Sequence, residues 1–113
     1  MPSLTDRSGR DVPASAGRLS CAAALTLRAL LDPAWRQVGD QLRRRFAFTD
    51  FAAAAAFVGR LAPLADADDH HPELVVGYGS VEVRLSTHDV DGLSERDFIV
   101  AAKLDRAYAD LAG

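Results

Sequence analysis

LVVGYGSVEVRLS, residues 74–86, is the stretch whose reading decides the fold. Two runs rich in β-branched residues flank Gly79-Ser80, a Gly-X pair suited to a type II′ hairpin turn. Val81, Val83 and Leu85 alternate with Glu82, Arg84 and Ser86. A period of two sets one face of a strand on a core and the other toward water, so the stretch predicts an antiparallel hairpin. A similar pattern lies upstream: residues 35–38 read as a short strand and Gly39-Asp40 as a turn. In LRRRFAF, residues 42–48, Leu42, Arg44, Phe46 and Phe48 alternate with Arg43, Arg45 and Ala47.

Helices fill the intervals. Ser20 caps a first one over residues 20–31, with Leu27, Leu30 and Leu31 sharing a face and Pro33 preventing its extension. Thr49 or Asp50 caps a second, along which Phe51, Ala55, Val58 and Ala62 recur at i, i+4, i+7 and i+11 as a stripe facing a sheet; it should end near Asp69. Pro63 deletes the hydrogen bond to the Gly59 carbonyl and predicts a kink. Ser94 starts a third helix, with Asp97 at capping-box distance and Val100, Leu104, Ala107 and Leu111 along one face. The α-β-β-α-β-β-α order predicts an α+β domain, a four-stranded antiparallel sheet with three helices packed on one face. Its outer strands keep free backbone donors and acceptors, which suits edge pairing into a dimer.

A chain of 113 residues has room for one core. Lys and Arg number 13 against 16 Asp and Glu, and a net charge of −3 lacks the footprint of a nucleic-acid binder. The run Arg43-Arg44-Arg45 reads as a solvated strand edge. One cysteine, Cys21, excludes an internal disulfide and a thiolate metal cluster and fits a reducing, cytoplasmic compartment. Residues 1–18 carry no apolar block of signal-peptide length, and their Pro, Ser, Gly, Arg and Asp content predicts a disordered tail ahead of one domain over residues 19–113. No stretch approaches the roughly 18 apolar residues of a membrane span.

The candidate chemistry sits just ahead of the deciding hairpin, in DADDHHPELV, residues 66–75. All three histidines, His70, His71 and His88, fall at element boundaries, where sites are built. Pro72 pushes His71 out of the helical region, and antiparallel pairing of the flanking strands should return His88 beside the pair. Asp66, Asp68 and Asp69 lie within a turn, and carboxylates near an imidazole favour its charged form, which is equipment for acid/base work near neutrality. Four competing readings carry less. Histidines at a helix C-terminus are favoured by the dipole alone. A three-histidine zinc site would need ligands on one side, whereas adjacent residues in extended backbone point apart. Cys21 lies on an apolar helix and Ser86 lacks a nucleophile elbow, and no glycine-rich phosphate loop precedes a helix.

These residues resemble the pterin-4a-carbinolamine dehydratase family. The family spaces an acid, His-His-Pro, an aromatic, a histidine and an aspartate as Asp66, His70-His71-Pro72, Tyr78, His88 and Asp97 are spaced here. STHDVDGLSERD, residues 86–97, is similar to its second signature, and FAFTDFAAAAAF, residues 46–57, to its entry into the second helix. The resemblance covers residues 19–111. It implies the fold derived above, assembled as a homodimer or homotetramer, and a hydro-lyase that dehydrates 4a-hydroxytetrahydrobiopterin to the quinonoid dihydropterin in tetrahydrobiopterin recycling, with no metal and no cofactor. It implies that His70 and His88 are the acid/base groups and that His71 holds the pterin. Asp66 and Asp97 would then orient or charge-balance them, and Asp69 and Arg96 would line the pocket. Leu74, Val75, Gly77 and Pro63 depart from the family pattern. Some relatives act as binding or assembly factors, which gives a second, non-catalytic expectation for the same fold.

Overall fold

The structure is a computed structural model that describes residues 4–13 and 17–112. Both hairpins form. Strands β1 (Arg36–Val38) and β2 (Gln41–Ala47) turn at Gly39-Asp40, where Gly39 takes φ 58°, a left-handed backbone that only glycine adopts freely. Strands β3 (Glu73–Gly77) and β4 (Ser80–Leu85) follow, and the four make an antiparallel sheet in the order β1-β2-β4-β3. The central pair sets Leu42 opposite Leu85, Arg44 opposite Val83 and Phe46 opposite Val81. Leu42, Phe46, Val81, Val83 and Leu85 are fully buried, as the alternation requires.

The β3–β4 turn falls one residue earlier than the Gly-X pattern predicts. Gly77 pairs with Ser80, so Tyr78-Gly79 make the turn, and neither takes a left-handed conformation. A contact from the neighbouring strand decides the register. The Phe48 N–H donates to the Gly79 carbonyl at 2.8 Å, and a Cβ on Gly79 would stand 3.2 Å from the Phe48 carbonyl oxygen.

Three helices lie on one face of the sheet: α1 (Cys21–Arg28), α2 (Phe51–Asp68) and α3 (Glu95–Ala112). Ser20 caps α1 by accepting from the Ala23 N–H, and Asp50 caps α2 by accepting from the Ala53 N–H. The faces differ from expectation in two places. Helix α1 ends at Arg28 and continues as a tighter turn, with Leu30 N–H on Leu27 and Leu31 N–H on Arg28, so the 100° spacing lapses. Leu31 goes inward while Leu30 stays 67% exposed. On α2 the buried stripe is Ala54, Phe57, Leu61, Ala65 and Asp68, and Phe51 is 54% exposed. Alanine on every side of α2 lets two stripes fit the period, and the large side chains Phe57 and Leu61 select the one that faces the sheet. The helix runs through Pro63 as one element.

Phe46, Phe48, Phe57 and Tyr108 pack as one aromatic cluster with centroids 4.8 to 5.9 Å apart, and Trp35 joins it edge-on at 6.0 Å from Phe46. Beside it, Asp105 on α3 accepts from the Trp35 indole N–H at 2.7 Å and from Arg44 Nη1 at 2.6 Å. Arg44 faces the helices, not the solvent, and lies 4.3 Å over the Phe46 ring. The arginine run is therefore not a sheet edge: β2 is paired on both sides, and only Arg43 and Arg45 lie on the face away from the helices.

Where composition predicts a disordered tail, residues 4–12 lie against α3 and the end of α2. Two short 3-10 turns, Leu4–Asp6 and Gly9–Asp11, bring Leu4 and Val12 into the core. Average polarity conceals two apolar anchors eight residues apart. Residues 1–3 and 14–16 of the expected tail lie outside the described residues.

Candidate active site

The histidine pair is launched by the way α2 stops. Asp69 takes a left-handed backbone, φ 50° and ψ 42°, at the position where glycine usually closes a helix. Its N–H returns to the Asp66 carbonyl at 3.1 Å and the next N–H, from His70, reaches Ala65 at 3.1 Å, the two bonds of a Schellman motif. The chain then turns sharply, and Pro72 leads it into β3. As a result His70 points inward and is buried, while His71 stays in solvent.

His70 Nε2 lies 2.6 Å from Asp97 Oδ1, a fully buried carboxylate on the first turn of α3. Asp97 Oδ2 accepts from the Ser94 N–H at 2.9 Å and from the Thr87 hydroxyl at 2.8 Å. Thr87 spends its one proton on Asp97, so at 2.7 Å it accepts from the Ser94 hydroxyl, which accepts in turn from the Arg96 N–H at 3.3 Å. Every donor in this chain runs toward Asp97. An acceptor-only carboxylate fixes the hydrogen of His70 on Nε2 and leaves Nδ1 as the nitrogen able to exchange a proton. One Asp97 oxygen meets His70, and the other accepts from the Ser94 N–H at the start of α3, which is one half of a capping box.

His71 Nε2 meets Asp66 Oδ1 at 2.8 Å in solvent. His88, exposed, opens a 3-10 turn His88–Val90 directly after Thr87, and a bridge between Thr87 and Gly92 closes the loop. Thr87, the residue before His88, thus meets Asp97, and Asp97 meets His70. The acids divide. Asp66 serves His71 and Asp97 serves His70, while Asp69 is the exposed helix stop. Asp68, grouped with the histidines by sequence, turns away and takes Lys103 Nζ at 2.8 Å on both oxygens. Arg96 donates to the Val12 carbonyl at 2.9 Å. Thr87 was not foreseen as a site residue. Its signal was available: it continues the inward positions 81, 83 and 85, and a hydroxyl buried there needs a partner. Among the described residues, no three His, Cys, Asp or Glu side chains gather as ligands for a metal ion.

Residues 19–107 match the family model described as pterin 4 alpha carbinolamine dehydratase. The chain belongs to this family. It is 48% identical over 75 residues to a provisionally named pterin-4-alpha-carbinolamine dehydratase of Halorhodospira halophila, covering 65% of this chain and 69% of the relative. Against the relative of the same provisional name from Xanthomonas oryzae pv. oryzae the identity is 53% over 78 residues, covering 67% and 66%. The fold is similar to a transcriptional coactivator/pterin dehydratase from Brucella melitensis, with TM-score 0.77 and 33% identity over 81% of this chain and 99% of that one. It is also similar to a pterin dehydratase-like protein described as a RuBisCO assembly factor in the alpha-carboxysome, with TM-score 0.54 and 27% identity over 66% and 86%. The hub formed by His70, Thr87 and Asp97 lies wholly within the pterin carbinolamine dehydratase match, whereas residues 4–13 precede it. No helix among the described residues is long and apolar enough to cross a membrane.

Proposed function

We propose that the chain is a 4a-hydroxytetrahydrobiopterin dehydratase, a hydro-lyase that forms the quinonoid dihydropterin in tetrahydrobiopterin recycling. The observation that carries the reading is the buried His70–Asp97 pair, 2.6 Å long, with the second carboxylate oxygen fully occupied. Such a pair holds an imidazole in one tautomer and one orientation, which is what proton transfer requires. The reaction breaks one C–O bond and one N–H bond. The leaving hydroxyl takes a proton from one imidazole and departs as water. The adjacent ring nitrogen gives its proton to the other, and its electron pair completes the C=N bond. His70 and His88 fill these two roles, and His71, held by Asp66, contacts the pterin. Asp69 and Arg96 line the approach. Neither a cofactor nor a metal is needed for such a step. A cytoplasmic location suits the single exposed Cys21, and the free edges of β1 and β3 suit a homodimer or homotetramer.

A binding or assembly role on the same fold is the second reading, favoured by the likeness to the carboxysomal assembly factor. The test is the rate of carbinolamine dehydration, followed by absorbance while an aromatic amino-acid hydroxylase generates the substrate. Wild type is expected to accelerate it, and a folded His70→Ala, His88→Ala double variant to lose about 10²-fold or more of that acceleration. No acceleration by folded wild type would reject the dehydratase in favour of the binding role.

A further inference from the structure

The described N-terminal segment precedes the residues that match the family, yet it is tied to the turn that presents the histidines. Arg10 Nε donates to the Ala67 carbonyl at 2.7 Å, and Arg10 Nη2 to the Asp66 carbonyl at 3.1 Å. These are carbonyls of the last turn of α2, where the helix runs out of its own N–H donors and where a cation is favoured by the dipole. One residue on, Asp68 is 2% exposed and accepts from the Gly9 N–H at 3.2 Å and the Ser8 hydroxyl at 3.2 Å, besides Lys103. The approach is close: a Cβ on Gly9 would stand 3.1 Å from both the Asp68 Cβ and the Asp68 carbonyl oxygen. Farther along, the Val12 carbonyl holds the Arg96 guanidinium, two residues after Ser94 of the Asp97 hub.

We propose that residues 8–12 are a positioning element for the His70-His71 turn, with Arg10 as its principal positioning residue. The Schellman bonds consume the Ala65 and Asp66 carbonyls from inside the chain, and Arg10 secures Asp66 and Ala67 from outside, so the last turn of α2 is fixed on two sides. Asp66, whose carbonyl Arg10 holds, is the residue whose carboxylate holds His71. Displacement at this turn moves both imidazoles together. The kinetic part of this inference rests on the dehydratase reading.

Arg10→Ala and Arg10→Lys in the full chain test it, with kcat and KM for the carbinolamine measured beside the NMR signals of the His70 and His71 rings. Arg10→Ala is expected to lower kcat about tenfold, in line with the cost of a small misplacement of catalytic groups, and to shift both ring signals. Arg10→Lys, able to reach one carbonyl, should recover part of each. Arg7→Ala is the comparison: it breaks the Arg7–Glu95 pair of the same segment and should leave the ring signals in place. Wild-type ring signals and kcat in Arg10→Ala, whatever its melting temperature, would overturn the proposal and leave the segment a strut. Should Arg10→Ala not fold, Arg10→Lys carries the same two readouts. If wild type itself turns nothing over, the dehydratase reading falls, and the ring signals alone decide the positioning.

Discussion

Asp97→Asn is expected to cut carbinolamine dehydration by about 10²-fold or more while leaving the melting temperature close to that of wild type. The two effects separate because the carboxylate does two jobs with two oxygens. Asparagine can keep its oxygen where Oδ2 stands, accepting from the Ser94 N–H and the Thr87 hydroxyl, and so preserve the start of α3. Its amide nitrogen then faces His70. Two donors cannot share one bond, so His70 Nε2 must become the acceptor and the ring hydrogen moves to Nδ1. The nitrogen offered to substrate is then already protonated. Asp97→Ala loses the cap as well, at about 1 kcal/mol, and leaves a buried N–H and hydroxyl unmatched at about 1 kcal/mol or more each. Thermal unfolding beside turnover distinguishes the variants. An Asp97→Asn protein with full activity would remove His70 from proton transfer.

A large loss of stability is expected from Arg44→Leu, about 3 kcal/mol by chemical denaturation near neutral pH. Arg44 is the cation paired with Asp105, whose other bonds come from the Trp35 indole and the Asp32 N–H. Burial pushes the Asp105 carboxyl above its ordinary value, more than these hydrogen bonds and the charge of Arg44 pull it down. Removing Arg44 leaves that upward push less opposed. The sign of the pH dependence follows. A carboxyl raised in the folded state contributes stability that is present below its unfolded value and lost as pH rises through its folded value. Arg44→Leu widens that window upward, so the variant should lie nearest wild type in acid and farthest near neutrality. A deficit that stayed constant with pH would mean that Arg44 acts through packing on Phe46 and Tyr108 alone.

What the sequence made legible was whatever repeats over two to four residues. Both hairpins, the three helices and their order follow from local period and capping chemistry and form, and of the Ser94–Asp97 box the half in which Asp97 accepts from the Ser94 N–H is present. The failures share a cause in contacts from elsewhere in the chain. Alanine on all sides of α2 left its inward face undetermined until Phe57 met Phe46 and Phe48. Gly79 answers to the Phe48 carbonyl, not to its own turn. Asp68 reads as a histidine partner by proximity, yet Lys103, Ser8 and Gly9 take it from 35 to 60 residues away. At the site, the spacing of His70, His88 and Asp97 could be read, but the convergence of all donors on Asp97 could not, because Thr87 and Ser94 share one hydrogen bond whose direction depends on a third partner.

The free edge of β3 bears on how the chain behaves in a crowded solution. Val75 and Val76 are both substantially exposed on this outermost strand, and Tyr78 stands out at its end. Apolar side chains beside an open row of backbone donors and acceptors are the ingredients of uncontrolled strand addition, and Glu73 is the one charge on the strand to discourage it. A change that strips any cover from this edge is therefore expected to show first, at high protein concentration, as lost solubility, ahead of any loss of folded structure.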